Sequence, residues 1–138
     1  MFTHIMVPYD LSAKDTLERS VKVAGDLARL YKAKLTLVSI TGGLNSIVSH
    51  STTEYARQLE GHAAHLEQIV KTDVGYKVYE SSDPSADIDH LLIEAIEDLR
   101  VDLVVMATHK PGWMEYLINS HGGRLARHAG ISVFVVRD

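Results

Sequence analysis

Five short apolar runs recur along this 138-residue chain, and helical patterns separate them. The runs occupy residues 4–8, 34–40, 76–79, 103–106 and 133–136. In the first, Ile5, Met6 and Val7 follow one another without a polar break, as in a strand covered on both faces. The run at 76–79 is weaker and partly alternating. Between the runs, apolar residues fall near helical spacing. Leu17, Val21, Ala24, Ala28 and Tyr31 make one set, with Ser12 the expected N-cap and Asp15 three residues on. Leu59, Ala63, Leu66, Ile69 and Val70 make a second, in a helix expected to begin at Thr52 or Thr53 and weakened by Gly61. Ile88, Leu91, Leu92, Ala95, Ile96 and Leu99 make a third. Asp83 is its expected cap, and Pro84 takes the first helical position, where a missing N–H costs nothing. Residues 41–51 are rich in Gly, Ser and Asn and read as a surface loop. Strand–helix alternation of this kind predicts a parallel sheet between layers of helices, in one domain over residues 1–138.

Several function classes are disfavoured at once. A formal net charge of −4 opposes general nucleic-acid binding, which needs a basic face to neutralise phosphates. The chain has no cysteine, so disulfides, thiolate metal sites and thiol catalysis are excluded. No apolar run approaches the length of a membrane span, and no signal-like segment opens the chain. These features fit a cytoplasmic protein without membrane contact.

The most telling stretch for function is 101–138. A buried strand ends near Met106, the chain passes Pro111-Gly112, and a helix is expected from Asn119-Ser120 before the last strand. A loop from a strand's carboxyl end to a helix amino end is where α/β folds hold phosphates, because free backbone N–H groups and the helix dipole face an anion there. Charge agrees. Between Leu103 and Arg137 stand Lys110, Arg124, Arg127 and Arg137 against Glu115 alone, a local net of +3 in an acidic chain.

Three segments together resemble the universal stress protein family. IMVPYD, at residues 5–10, resembles its first strand with a Pro-x-Asp. DPSADIDHLLIEAIEDLRVDLVVMATHKPG resembles its third helix, fourth strand and glycine loop, and RLARHAGISVFVVR its closing helix and strand. The resemblance implies a doubly wound, Rossmann-like α/β fold: a five-stranded parallel sheet in the order 3-2-1-4-5, helices on both faces. Its topological switch point would lie between the strands ending at Pro8 and Met106. Nucleotide-binding members carry Gly-x2-Gly-x9-Gly followed by Ser or Thr. Here the matching positions hold Ala107, Lys110 and Asn119 followed by Ser120, and the loop is one residue shorter. His109-Lys110-Pro111 is similar to a His-Arg-Pro subgroup with the same shortening.

The substitutions have a physical reading. Ala107 adds one methyl, tolerable at negative φ. Lys110 brings a mobile cation, and Asn119 is among the few non-glycine residues that accept a left-handed turn or cap a helix. Ser120 keeps its hydroxyl, and Gly122 and Gly123 leave the following turn uncluttered. By resemblance, Asp10 contacts the nucleoside end of a ligand; its plainer role is to cap the following helix. Pro8 and Tyr9 shape the strand exit, and Ile40 offers an apolar wall or simply core packing. His109 and His121 flank the loop as phosphate ligands or as loop histidines without a role. His62 and His65, at i,i+3, lack a third ligand for a metal. Ser120 near His121 and His128 has no orienting carboxylate for catalysis and reads as a cap.

The function these observations suggest is binding of ATP or AMP, with Mg2+ carried in by the nucleotide, in a sensor or regulatory subunit. Pro8, Tyr9, Asp10 and Ile40 would hold the nucleoside; Ala107, His109, Lys110, Gly112, Asn119, Ser120, His121 and Gly122 would face the phosphates. No enzymatic reaction is evident, and any ATP hydrolysis or autophosphorylation would be slow. Trp113, the single tryptophan, is expected in a lid over the base, in a partner surface, or simply in loop packing. A homodimer is expected through the edge strand at 132–137, with a further protein partner open. The alternative is a ligand-free dimeric interaction protein of the same family.

Overall fold

A computed structural model describes residues 1–42, 52–107 and 130–137. The elements run β1 (His4–Pro8), a short 3-10 turn (Leu11–Ala13), α1 (Lys14–Tyr31), β2 (Lys34–Thr41), α2 (Thr52–Val70), β3 (Gly75–Glu80), α3 (Pro84–Leu99), β4 (Leu103–Ala107) and β5 (Ser132–Val136). The five strands form one parallel sheet in the order β3-β2-β1-β4-β5. Sequence order runs outward from β1 to β3, then jumps back to β4. Right-handed crossovers therefore place α1 and α2 on one face and α3 on the other. This is the doubly wound arrangement expected from the sequence.

The core explains the continuous apolar runs. Ile5, Met6 and Val7 in β1, Leu37 and Val38 in β2, and Val104 and Val105 in β4 are fully excluded from water. Leu17, Val21 and Ala24 of α1 and Leu59 of α2 cover one face, and Ile88, Leu92 and Ala95 of α3 cover the other. α1 and α2 pack closely because Gly25 has no side chain: a Cβ there would stand 2.6 Å from Val70 Cβ. The two edge strands are wetter, and Tyr76 in β3 and Phe134 and Val135 in β5 are exposed.

Two capping expectations need correction. Ser12 does not cap a helix; it lies inside the 3-10 turn, and Asp10 caps that turn by accepting from the Ser12 N–H. The reason is proximity, since the Asp10 carboxylate sits one residue before the turn and reaches its second amide. Asp83 occupies the N-cap position of α3 with no side-chain capping bond. The Ser81 hydroxyl instead accepts from the Asp83 N–H at 3.1 Å and donates to the Asp87 carboxylate at 2.7 Å. At their other ends α1 and α3 close on Lys32 and Arg100, both left-handed at φ 55°. A cation at a helix carboxyl terminus offsets part of that strain.

The amino-terminal end of the sheet is closed by one carboxylate. Asp102, just before β4, accepts from the Thr3 N–H at 2.8 Å, the Thr3 hydroxyl at 3.0 Å and the His4 N–H at 3.1 Å. Burial pulls its pKa upward, but these bonds outweigh it and hold the carboxyl below the ordinary value. His4 adds two ring bonds, to the Leu99 carbonyl and the Thr36 hydroxyl, each 2.7 Å.

Candidate functional site

At the opposite, carboxyl-terminal end, β1 and β4 separate. Their ladder holds Ile5 to Leu103 and Met6 to Val104 and goes no further. β4 nevertheless continues beside β5 to Ala107, and β1 continues beside β2 to Pro8. Pro8 has no N–H to extend a ladder. β1 and β4 are also where the strand order reverses, with β2 beside one and β5 beside the other, so the parting lies at the topological switch point where open α/β sheets admit ligands.

The segment leaving β1 into this crevice is held by β2 and by α2. Backbone bonding continues past the strand, with the Tyr9 N–H donating to the Val38 carbonyl at 2.8 Å. The Ser39 hydroxyl donates to the Tyr9 carbonyl. From α2, the Tyr55 hydroxyl accepts the Leu11 N–H at 3.0 Å. Asp10 then stands at the mouth, only 7% exposed, with one oxygen accepting from the Ser12 N–H at 3.0 Å and the Ser12 hydroxyl at 2.8 Å. Burial raises its pKa, and the Ser12 bonds oppose the rise. The capping role is therefore realised, and it leaves a largely buried carboxyl beside the crevice.

Tyr9 points away from the crevice, toward α2. It is fully buried, and its hydroxyl bonds the Nε2 of His62. Burial first, then Tyr55 and the carboxylates of Asp15, Glu18 and Asp10, push the phenol well above its usual range. His62 is shifted the other way, by burial first and then by Lys14 and His65, so its ring is neutral at neutral pH. A neutral phenol beside a neutral imidazole donates to Nε2 and leaves the ring proton on Nδ1.

Pro8, Tyr9, Asp10, Ile40 and Ala107 thus lie at or next to the carboxyl ends of the three central strands, all buried. Ile40 is 2% exposed, as a core side chain is. His109, Lys110, Gly112, Trp113, Asn119, Ser120, His121 and Gly122, and most of the surface loop expected at 41–51, lie outside the described residues. The sequence reading passed over Ser39, Tyr55 and the Tyr9–His62 bond. One signal was available: Tyr55, Leu59, His62 and Leu66 follow at helical spacing, which puts Tyr55 in the buried stripe of α2 and the half-buried His62 at its border.

The family profile described as the universal stress protein family matches residues 1–137. The chain belongs to the universal stress protein family. Among its relatives, universal stress protein A of Salmonella typhi is 23% identical over 141 residues, covering 99% of this chain and 96% of the relative. The same fold recurs in a universal stress protein solved in complex with cAMP, at TM-score 0.65 and 19% identity, covering 98% of this chain and 97% of the other. It recurs again in the Archaeoglobus fulgidus universal stress protein in complex with dAMP, at TM-score 0.61 and 15% identity, covering 96% of both. Among the described residues, no helix is long and apolar enough to cross a membrane.

Proposed function

We propose that this universal stress protein binds an adenine nucleotide, ATP or AMP, in the crevice between β1 and β4 and acts as a sensor or regulatory subunit. The observation that carries the reading is the parting of the two strands after Met6 and Val104, with the Asp10 carboxyl at its mouth. Structural relatives solved with cAMP and dAMP support the choice of an adenine ligand. Asp10 accepts from the ribose, and Pro8 and Ile40 wall the base. The phosphates, with any Mg2+ they carry, meet the segment from Ala107 through His109, Lys110 and Gly112 to Asn119, Ser120, His121 and Gly122. Side chains replace all three family glycines there, so backbone N–H groups approach oxygen less closely and Lys110 offsets this only in part. The role is binding rather than catalysis.

Calorimetry with Mg-ATP and with AMP tests the reading. Micromolar to millimolar affinity is expected, tightened by Ala107→Gly with Asn119→Gly and weakened at least about tenfold by Asp10→Ala, which removes a charged acceptor. Silence at millimolar nucleotide in both the wild type and the double glycine variant would overturn it.

One observation favours a second role alongside or instead of the first. β5 is a sheet edge whose Phe134 and Val135 are 45% and 50% exposed, and an uncovered apolar edge invites pairing with another chain. A homodimer through residues 132–137 follows. A monomer in sedimentation at micromolar concentration would exclude it; a dimer that Val135→Lys dissociates would support it.

A further inference from the structure

On the α2 side of the segment that leaves β1, the surface between the start of α1 and the middle of α2 is hollowed into a groove of about 540 Å3. Its lining residues are Leu11, Lys14, Gln58, Gly61, His62 and His65. Four of the six carry side-chain nitrogens, and volumes of roughly 300–1,000 Å3 are usual for small-molecule sites. Gly61 leaves the groove unobstructed, because nothing stands within 4 Å of where its Cβ would be.

The donors are arranged rather than scattered. The rings of His62 and His65 lie 6.0 Å apart, tilted by 34°. Tyr9 fixes His62 from behind by occupying Nε2, which leaves Nδ1–H as the ring's remaining donor. Lys14 lies close enough to depress the His62 pKa, so a cation and two imidazoles share one small space, with Asp15 and Glu18 acting on His62 in the opposite sense. The acids nearby are partly committed. Glu18 is paired with Lys22 at 2.8 Å, and the Glu54 carboxylate accepts from Gln58 at 3.5 Å. Asp15 remains on the α1 side.

We propose that this groove is a second binding site, for a phosphate group that is either free or carried on a small organic molecule, held by Lys14, His62 and His65. Lys14 supplies a point charge, His65 a second ring donor, and His62 an oriented N–H. A bound dianion favours the imidazolium form of His62. The groups facing that ring are Tyr9 from the segment after β1, Lys14, Asp15 and Glu18 from α1, and His65 from α2. Charging His62 reverses its bond to Tyr9, since Nε2–H then donates to the phenol oxygen. Tyr9 lies between Pro8 and Asp10, so the groove is linked to the segment that leaves β1. The site stands whether or not the crevice takes a nucleotide.

Side-chain nitrogen NMR of the histidines in the full chain provides the test, with inorganic phosphate and glycerol 2-phosphate titrated against sodium chloride at matched ionic strength. Saturable shifts are expected at His62 and His65, with the His62 titration midpoint moving upward in phosphate. Lys14→Met and His65→Gln are each expected to weaken binding by about fivefold or more, in line with the loss of a charge-assisted contact. Mg-ATP calorimetry on Lys14→Met reports the crevice independently. Tighter binding of the monoester identifies an organic carrier, and equal binding identifies free phosphate. Equal shifts with chloride, an absence of shifts, or shifts retained undiminished in both Lys14→Met and His65→Gln would each overturn the proposal.

Discussion

The two ends of the sheet are finished in opposite ways, and each is organised around an aspartate. At the amino-terminal end Asp102 receives two backbone N–H groups and a hydroxyl, and its pKa is held down by them. At the carboxyl-terminal end Asp10 is more deeply enclosed, takes both its described bonds from Ser12, and its pKa is pushed up by burial. Among the described residues, three donors match the charge of Asp102, and Ser12 alone offsets the burial of Asp10. A charge held without full compensation is what a ligand site needs, because an incoming donor then has something to satisfy. The amino end serves stability, and the carboxyl end gives up some of it.

Three substitutions would break or sharpen that contrast. The largest effect is expected from Gly42→Ala, just past β2 at the carboxyl end. Gly42 has φ +125°, and a Cβ there would stand 2.0 Å from the Ser81 carbonyl oxygen. Left-handed strain and overpacking together predict a loss of about 3 kcal/mol, read from urea midpoints. A near-neutral result would mean that the β2 and β3 exits separate easily, and the carboxyl end would then be looser than described.

Asp102→Asn comes next. It turns one accepting oxygen into a donor that faces the donors of Thr3 and His4, and is expected to destabilise by about 2 kcal/mol at neutral pH. The sign with pH follows from a depressed folded pKa. Asp102's contribution is present above the unfolded value of about 4 and is lost as pH falls through the folded one. The wild-type and Asn stability curves are therefore expected to converge in acid.

Asp10→Asn is expected to be the smallest effect and of opposite sign. An amide oxygen can still accept from Ser12, while the buried charge is gone. A group whose folded pKa is raised stabilises the fold below its unfolded value and loses that contribution as pH rises through the folded one. The Asn variant is then as stable as wild type or more so by about 0.5 kcal/mol at neutral pH, within the usual range for caps, with the gain disappearing in acid. Marked destabilisation of Asp10→Asn at neutral pH would remove the distinction between the two ends.

Much of the fold was legible because burial on both faces writes itself as unbroken apolar runs. Residues 5–7 and 103–106 were readable in this way, and each strand grew by at most a residue or two at its ends. The candidate site was less legible. Asp10 and Pro8 stood out by spacing, but Ser39 and Tyr55 did not, because nothing local shows that a β2 hydroxyl and an α2 phenol converge on Tyr9 and Leu11. Caps failed for a related reason. Ser12 and Asp83 are both good capping residue types, yet which side chain reaches which amide depends on how the chain turns before the helix begins.

Sequence alone determined the alternation of strands and helices, which faces of α1, α2 and α3 are buried, and the family, because hydrophobic periodicity and short motifs are local along the chain. Tertiary structure decided which of two aspartates has its pKa raised by burial, where β1 and β4 part, and that His62 is tied to Tyr9 rather than standing free. Those outcomes depend on contacts between residues up to 99 positions apart, as in the bond from Thr3 to Asp102. Burial and bonding at such contacts set the electrostatics, and no local pattern encodes them.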